Sequence, residues 1–365
     1  MENINLTINI GAMSNIRAIG IDLAKEIFHL HAVDDKGCEV FKKRLTRIKL
    51  IEFMNNLDCN RDKTIIGMEG CSGANYFVKK FRDFGYRNIR VVSAQFVKPF
   101  VKSNKNDSID ACAIVKAILD PDMRFCLVKE DWQQDIMNIH RVRSRLIKQR
   151  TALGNEIRGL LAEYGIISAK TISKLRQKLM ILLNSDESNL SDIAKELFYD
   201  LFEELVSIDE KIQKTDVQLR QILSNNKLCQ KLIKIPGIGL ISSTALVGEL
   251  GNASNFKNGR ELSAYLGLVP KQHSSGGKNT LLGISKRGNS YLRTLLIHAS
   301  RSAVNSMNRV KDINNNQFKK NKKLSDWFLN LQVRKNSNVA VVALANKLAR
   351  ICFVVLSKEY EYEPN

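Results

Sequence analysis

The first third of the chain alternates short apolar runs with amphipathic segments. IRAIGIDLAKEIFHLHAV (16–33) contains two β-rich runs around a polar turn, and this pattern predicts a hairpin. TIIGMEG and NIRVVSA predict two more strands, and helical spacing is found at 74–84 and 108–119. Because strands come first and then alternate with helices, we expect an α/β domain over 16–131.

Residues 132–225 instead show the spacing of long amphipathic helices. One apolar stripe runs from Ile139 to Tyr164 and a second from Leu201 to Ile222. Two such helices joined by a looser segment predict an antiparallel coiled coil. The stripes could join subunits or pack on the chain's own core, and the pattern leaves both interpretations open.

Residues 226–357 predict a mostly helical domain. Its opening, IPGIGLISSTALVGELG, resembles half of a helix-hairpin-helix motif, in which Gly237 and Gly239 would let backbone N–H groups face a phosphate. Glycine also starts and ends helices for purely structural reasons, so the motif has a second interpretation.

We expect a disordered leader at 1–15, a mobile polar stretch in KDINNNQFKKNKK and a tail at 358–365. The two apolar helices expected in this domain cover 289–307 and 337–357.

The balance of charge indicates a polyanionic partner. The chain has 365 residues, with 57 Lys and Arg against 37 Asp and Glu, and a net charge of +20. Between 251 and 350 there are 18 basic and 3 acidic residues, so +15 of this charge is concentrated there. Such a concentration favours a nucleic-acid-binding surface over a merely soluble basic one.

Other features of the composition exclude further classes of protein. No apolar run reaches the roughly 18 residues of a membrane span, and the N-terminus lacks the charged start and apolar core of a signal peptide. The seven cysteines are scattered without a C-x-x-C pair, which fits reduced thiols and gives no zinc site. We therefore expect a cytoplasmic protein with no membrane partner.

Four acidic residues stand at positions that suit a metal site. Asp22 interrupts an apolar strand, where a carboxylate is unfavourable unless it is paired or binds a cation. Glu69 ends the third predicted strand, and Asp107 and Asp110 share one face at the start of a helix. Oxygen ligands from two strand ends and a helix could hold Mg²⁺. A pair of such ions can clamp the attacking and leaving oxygens of a phosphodiester.

Each acid also has a structural interpretation. Asp107 could cap its helix, Asp110 could favour the first turn, and Glu69 could be a solvated strand end. Asp22 is the hardest to explain in this way. The order Asp, Glu, Asp-x-x-Asp on a strand–strand–helix pattern favours one shared site.

Several segments together resemble a known family. IGIDLAKEIF, GMEGCSG and SNKNDSIDACAI resemble the DEDD, RuvC-like N-terminal domain of a bacterial transposase family. LIKIPGIG, LSAYLGLVPKQHSSGGK and GISKRGNSYLRTLLIHASR are similar to the second domain of that family. The family is the Piv invertase-like group of insertion-sequence elements, the "IS one-ten" transposases, and the chain resembles its "eleven-eleven" branch over nearly all of 16–357. The resemblance implies a RuvC-like (RNase H-like) first domain and a C-terminal transposase domain.

The resemblance also implies a chemistry. The family's four acids correspond to Asp22, Glu69, Asp107 and Asp110, which would hold Mg²⁺. Its nucleophile is a serine just before Gly in an S-G signature, which attacks a DNA phosphate and leaves a covalent phosphoserine link. Members that resemble this chain are guided by a bridge RNA, which pairs with the element's DNA and with the target. The resemblance further implies a homo-tetramer or a dimer.

The stretch QHSSGGKNTLLGISKRG (272–288) suits that chemistry. A serine hydroxyl is a weak nucleophile and needs a base or a metal nearby. Gly276 and Gly277 would allow the backbone to approach a phosphate closely. The S-G match favours Ser275 over Ser274 as the nucleophile, although a flexible Ser/Gly-rich linker is the commoner meaning of such a run. The basic residues that could offset the charge of a phosphate are Lys278, Lys286, Arg287 and Arg293.

Two other functions remain open from the sequence. A RuvC-like nuclease would hydrolyse DNA with metal ions and without a serine nucleophile. An inactive nucleic-acid-binding relic would need none of the four acids, and their presence argues against it.

Overall fold

The computed structural model of the protein describes residues 15–101, 107–185, 190–275, 278–309, 322–358 and 360–363. The chain divides into two compact units, Met1–Lys129 and Glu130–Asn365. The helices of the predicted coiled coil and those of the predicted C-terminal domain therefore share one unit. The predicted leader and the stretch KDINNNQFKKNKK fall almost wholly outside the described residues.

The first unit is built on a five-stranded mixed sheet. Its strands are β1 (Ile16–Asp22), β2 (Ile27–Asp34), β3 (Glu39–Thr46), β4 (Ile65–Glu69) and β5 (Asn88–Val92). They lie in the order β3-β2-β1-β4-β5, with β1 antiparallel to β2 and parallel to β4. The predicted hairpin and the two later strands are present. The sequence interpretation missed β3, because EVFKKRLT is mostly polar and joins the sheet by pairing with β2 along its length.

Helices cover both faces of this sheet. They are α1 (Arg47–Asn56), α2 (Ala74–Asp83), α3 (Ala94–Val97) and α4 (Asp107–Leu119). Alternate residues of a strand point to opposite faces. Ile19 of β1 accordingly joins one apolar core with Phe77 of α2, while Ala18 joins another with Ile114 of α4. Because Asp22 lies an even number of residues after Ala18, it points to the face that α4 covers.

The second unit begins with an arm of three helices. They are α5 (Asp131–Glu163), α6 (Ile172–Leu183) and α7 (Asp192–Asn225). α5 and α7 run antiparallel, since Arg143 Nε pairs with Asp216 at 2.6 Å and Arg150 Nη1 pairs with Asp209 at 2.9 Å. The predicted apolar stripes of the two helices share one core with α6. Packing within the unit therefore accounts for much of the helical spacing of apolar residues in α5 and α7.

The rest of the second unit is helical apart from one hairpin. Its elements are α8 (Lys227–Leu232), α9 (Leu240–Leu250), α10 (Gly259–Tyr265), β6 (Pro270–Ser275), β7 (Lys278–Ile284), α11 (Ser290–Arg309), α12 (Lys322–Gln332) and α13 (Ser337–Ser357). α9 is buried along most of its length and packs on α5, α7 and α11. α13 packs on α10 and α11. The two predicted apolar helices are thus α11 and α13.

α13 is the element to test for a membrane span, although Lys347 and Arg350 interrupt its apolar run. In the part of the chain that the structure describes, it is the one helix long and apolar enough to do so. Of its most apolar window, 56% is buried inside the unit. The core helix of a globular protein meets the same criterion, so this composition is weak evidence for a membrane.

A buried histidine connects three helices of the second unit. His140 on α5 is 1% exposed, with Nδ1 3.0 Å from the Tyr291 hydroxyl on α11 and Nε2 3.0 Å from Thr244 Oγ1 on α9. The Thr244 hydroxyl donates its proton to the carbonyl oxygen of Leu240 at 2.7 Å, so towards His140 it can only accept, from Nε2–H. Nδ1 of the neutral ring then carries no proton and accepts from the Tyr291 hydroxyl. Burial, and after it the charge of Arg143, lowers the pKa of His140 to about 4. The ring is therefore neutral at pH 7.

We expect His140 to make the second unit sensitive to acid. The folded pKa of about 4 lies below the ordinary 6.5, so the unfolded chain takes up the proton first as the pH falls. The stability contributed by the neutral ring is complete above pH 6.5 and is lost progressively towards pH 4, by on the order of 1–3 kcal/mol. Both tryptophans, Trp132 and Trp327, lie in this unit, so urea unfolding followed by tryptophan fluorescence measures its stability.

His140→Gln is the control for this measurement, because its amide can donate and accept but cannot titrate in this range. It should lose less stability than the wild type between pH 7 and pH 5. An equal loss in the two proteins would show that another group is responsible.

Candidate active site

The two strand-end acids are neighbours in the sheet. β1 ends at Asp22 and β4 ends at Glu69, and the parallel register pairs Ile21 with Met68 immediately before them. Residues opposite each other on adjacent strands point to the same face. Both carboxylates therefore leave the sheet on the α4 side. Like charges this close disfavour each other, and a cation would relieve the repulsion.

Cys71 lies close to the ends of both strands. Its pKa is raised by burial first, and then by the carboxylates of Glu69 and Asp22. Its Sγ lies 3.9 Å from the carbonyl oxygen of Leu23, the residue that follows β1. One side chain thus senses the charges of both strand ends, which supports their convergence.

The same pattern, Gly-x-acid, ends both strands. Gly20 stands two residues before Asp22 and Gly67 two residues before Glu69, and the two glycines are paired with each other. α4 packs so closely on them that a Cβ at Gly20 would collide with the carbonyl oxygen of Ala111, and one at Gly67 would collide with the side chain of Ile118. The helix backbone therefore lies against β1 at Gly20, two residues before Asp22.

Asp110 is next to this helix–sheet contact. It is half-buried and directly precedes Ala111 in α4. Asp107 begins the helix, and its side chain lies outside the described residues. Among the residues that the structure describes, no three His, Cys, Asp or Glu side chains form a metal-binding group. The structure thus brings Asp22 and Glu69 together and places the start of α4 on their face, but it does not join Asp110 to them as a third ligand.

The sequence interpretation missed His29. The antiparallel register places it directly opposite Asp22, and so on the same face of the sheet. The neighbouring His31 is opposite Gly20; it is buried, and burial is the main cause that lowers its pKa. The alternation in FHLHAV indicates that the two histidines share a face, but it does not reveal which acid they meet.

The predicted nucleophile lies at the end of the β6–β7 hairpin. Ser275 is the last residue of β6 and is paired with Lys278, while Ser274 is paired with Asn279. Residues 276–277, and the side chains of these four paired residues, lie outside what the structure describes. The register leaves two residues between the paired positions, so the backbone places both serines beside a short connection.

The base of this hairpin is fixed to the loop that precedes it. Gly267 and Gly288 have φ of +67° and +74°, a conformation that favours glycine. A Cβ on Gly288 would collide with the carbonyl oxygen of Tyr265, and the Lys286 N–H donates to the Gly267 carbonyl at 3.1 Å. Lys286 and Arg287 are exposed on the loop held in this way. Two of the predicted basic residues are therefore presented from a fixed backbone.

Arg293 has a structural role in the same place. Its Nη1 donates to the carbonyl oxygen of Leu266 at 3.0 Å and to that of Arg287 at 3.1 Å. These bonds tie α11 to both sides of the hairpin base. Because Nη1 already donates to these two carbonyl oxygens, a contact of Arg293 with nucleic acid would use its other side-chain nitrogen atoms. That contact stays a prediction.

The Pro-Gly-x-Gly turn connects α8 to α9. Gly237 has φ of +80°, and a Cβ there would collide with the carbonyl oxygen of Ala299 on α11. This glycine is therefore required by packing. Gly239 faces open space, and its N–H donates to Ser242 Oγ at 3.0 Å. Two helices thus flank the turn, and both the likeness to a helix-hairpin-helix motif and the contact of the turn with a phosphate stay predictions.

Comparisons with known proteins identify one family. A model described as "Transposase IS116/IS110/IS902 family" matches residues 229–320, and a DEDD-type model of IS110 elements, described as "Transposase", matches residues 19–166. The chain is 38% identical over 351 residues to a probable family 20 transposase of Pseudomonas aeruginosa, which covers 96% of the chain and 99% of the relative.

Two further relatives are named after insertion sequences. The transposase for insertion sequence element IS1111A of Coxiella burnetii is 39% identical over 351 residues, with 96% of this chain and 92% of the relative covered. The transposase for insertion sequence element IS1328 of Yersinia enterocolitica is 35% identical over 346 residues, with 95% and 98% covered.

The fold, the strand-end acids and these relatives define an enzyme that acts on DNA, a transposase. The chain belongs to the IS116/IS110/IS902 family of insertion-sequence transposases. The DEDD model spans Asp22, Glu69, Asp107 and Asp110. It implies a RuvC-like fold for the first unit and suggests dependence on a divalent metal ion.

We expect Gly20→Ala to displace α4 from the sheet. The added methyl group would collide with the Ala111 carbonyl and lie 2.8 Å from Val115 Cγ2. Overpacking of this kind costs about 1–3 kcal/mol, so the amides of α4 should exchange faster in hydrogen–deuterium exchange mass spectrometry. Gly159→Ala, which faces open space on α5, is the matched control and should leave α4 unchanged. Wild-type protection of α4 in Gly20→Ala would contradict the close approach.

Proposed function

We propose that the protein is the RNA-guided recombinase of its insertion sequence, and that it cuts and rejoins DNA through a phosphoserine link at Ser275. The observation that carries the proposal is the placement of Asp22 and Glu69 on adjacent strand ends, in a family of DNA transposases. The enzyme would act in the cytoplasm as a homo-tetramer or dimer. Its partners would be the element ends or junction, the target DNA and a bridge RNA.

Asp22, Glu69, Asp107 and Asp110 would hold the metal, for which we propose Mg²⁺. Carboxylate oxygens on a rigid sheet and on the first turn of a helix suit this ion, which is usually held by a few carboxylates together with water and phosphate oxygens. When bound, Mg²⁺ would stabilise the charge that develops on the phosphate oxygens. The chain's own contribution would be to hold Asp22 and Glu69 side by side through the pairing of β1 with β4, and to hold the start of α4 near them through its contact with Gly20.

Ser275 would supply the covalent step. Its Oγ forms a bond to a DNA phosphorus and loses its proton, while the bond from phosphorus to one deoxyribose oxygen breaks and that oxygen gains a proton. A deoxyribose hydroxyl of the strand to be joined then attacks the phosphoserine and releases the serine. The number of phosphate ester bonds is conserved, so no external source of energy is required. Lys278, Lys286 and Arg287 would offset the charge of the reacting phosphate.

Recognition of nucleic acid would be mainly electrostatic. The +15 charge between 251 and 350 accompanies an aromatic content of 7% in the whole chain, so phosphates rather than stacked bases would supply most of the affinity. Gly237, Gly239 and Arg293 could add backbone-directed contacts. Phosphate contacts carry no sequence information directly. A bridge RNA that pairs with both DNAs would supply this missing specificity.

We expect Asp22→Asn to abolish strand transfer and leave nucleic-acid binding nearly intact. The substitution removes one charge from the paired strand ends without changing the size of the side chain. Strand transfer on element-junction DNA and a gel-shift assay on the same DNA measure the two properties. Asp58→Asn, an exposed acid in the same unit, is the control and should behave as wild type. Full activity in Asp22→Asn, or wild-type activity in EDTA, would refute the shared site.

We expect Ser275→Ala to lose recombination and every covalent protein–DNA product. The assay incubates the protein with element-junction DNA, with and without the flanking transcript, and maps any adduct by peptide mass. The wild type should form the adduct only when the transcript is present, and Ser274→Ala should lose much less.

The competing functions give different results in the same assay. A metal-dependent nuclease would still cleave DNA after Ser275→Ala. An inactive relic would not cleave DNA under any of these conditions. An adduct on Ser274 or on a tyrosine would show that Ser275 is not the nucleophile.

A further inference from the structure

A large groove opens on the second unit between α10, the β6–β7 hairpin, α12 and α13. Its volume is about 1580 Å³, whereas small-molecule pockets are roughly 300–1,000 Å³. Leu282, Val339 and Val354 line it and remain 49%, 54% and 37% exposed. An exposed apolar surface rimmed by polar residues marks an interaction site. The size of this groove suits a segment of a macromolecule.

Basic side chains surround these apolar walls. The six that line the groove are Lys257, Arg260, Lys286, Lys347, Arg350 and Lys358. Among the described residues, none of the six forms an ion pair with a carboxylate. Lys347 Nζ instead lies 4.0 Å from the centre of the Trp327 ring, and burial together with the charge of Arg350 lowers its pKa. Glu363 is the acidic residue that lines the groove, so the groove combines an apolar interior with an excess of positive charge.

The arm carries a surface of the opposite character. Ile193, Glu196, Leu197 and Asp200 share one side of α7 at helical spacing, and all four are exposed. Ile193 is 81% exposed and Leu197 is 47% exposed. From 192 to 204 there are five acidic residues against one lysine, a net charge of −4 in a chain of +20. We call Ile193, Glu196, Leu197 and Asp200 the acidic face.

We propose that the acidic face of one copy of the protein docks into the groove of a second copy. Ile193 and Leu197 would cover the apolar walls, while Glu196 and Asp200 would meet the cations around them. Laying the apolar i and i+4 positions of a helix into an apolar groove is a common mode of recognition. The inference is independent of the phosphoserine chemistry.

The occupant is a second copy rather than the same chain or a nucleic acid. No residue of the acidic face lines the groove within one copy, although both belong to the same unit. The phosphates of a nucleic acid would satisfy the cations, and the lining includes four aromatic residues, Trp327, Phe353, Tyr360 and Tyr362. Lys347 already occupies the Trp327 ring, however, and stacked bases would leave the exposed aliphatic side chains of Leu282, Val339 and Val354 uncovered. An acidic helix with exposed aliphatic residues satisfies both the charge and the apolar surface.

Two charge-reversed proteins test this pairing. The helix variant combines Glu196→Lys with Asp200→Lys, and the groove variant combines Arg260→Glu with Arg350→Glu. Because like charges would face each other, each variant alone should self-associate at least about tenfold more weakly than the wild type. Sedimentation velocity on full-length protein freed of nucleic acid measures the association. The equimolar mixture should recover it, because every helix then meets an oppositely charged groove.

A control pair and a binding assay make the result decisive. The control variant combines Glu52→Lys with Asp58→Lys, on exposed residues of the first unit. It changes the net charge by the same amount as the helix variant does and should associate as the wild type does. A monomeric wild type, or a mixture that fails to recover, overturns the proposal. It is equally overturned if the groove variant loses affinity for a single-stranded oligonucleotide while the helix variant still associates normally. Recovery in the mixture would also show that both variants are folded.

Discussion

The packing of α4 on two paired glycines sets the geometry of the first unit. Gly20 and Gly67 lie side by side on β1 and β4, and neither has a side chain that would hold the helix away. At Gly20 the backbone of the helix rests on the backbone of the strand, while at Gly67 the Ile118 side chain fills the space, so the helix lies close to the face that the strand-end acids share. Two residues further on, the same strands carry Asp22 and Glu69. The distance between α4 and the strand-end acids thus depends on glycines that contribute no chemistry of their own, whereas the pairing of β1 with β4 sets the spacing of Asp22 from Glu69.

The second unit uses the same kind of backbone contact for a different purpose. Gly288 packs against the Tyr265 carbonyl, and Gly237 packs against the Ala299 carbonyl on α11. The first contact fixes the base of the hairpin that carries Ser275, and the second fixes the turn before α9. In both motifs packing alone requires these glycines, so their presence does not indicate a bound ligand. The case for a ligand at the hairpin therefore rests on its serine and its basic residues.

The elements that could be predicted from the sequence are those with a clear pattern of buried positions. The continuous apolar runs of β1 and β4, which are buried on both faces, and the one-sided stripes of α5 and α7 gave such a signal. β3 has the charged sequence EVFKKRLT and depends on its pairing with β2, which no local pattern reveals. The four acids could be selected from their order, but the pairing of Asp22 with His29 required the register of the hairpin. A shift of one residue would have moved His29 to the other face.

The separation of charge within the second unit links assembly to nucleic-acid binding. α7 has eight acidic and four basic residues, whereas the segment from 251 to 350 has a net charge of +15. A polyanion is therefore repelled by the acidic side of α7 and attracted to the hairpin side of the unit. Lys286 belongs to both of the surfaces proposed above, because it follows the hairpin and also lines the groove. An acidic helix in the groove would reduce the local positive potential at this residue, so the two proposals together predict that the association of copies and the approach of a phosphate compete for the same charge.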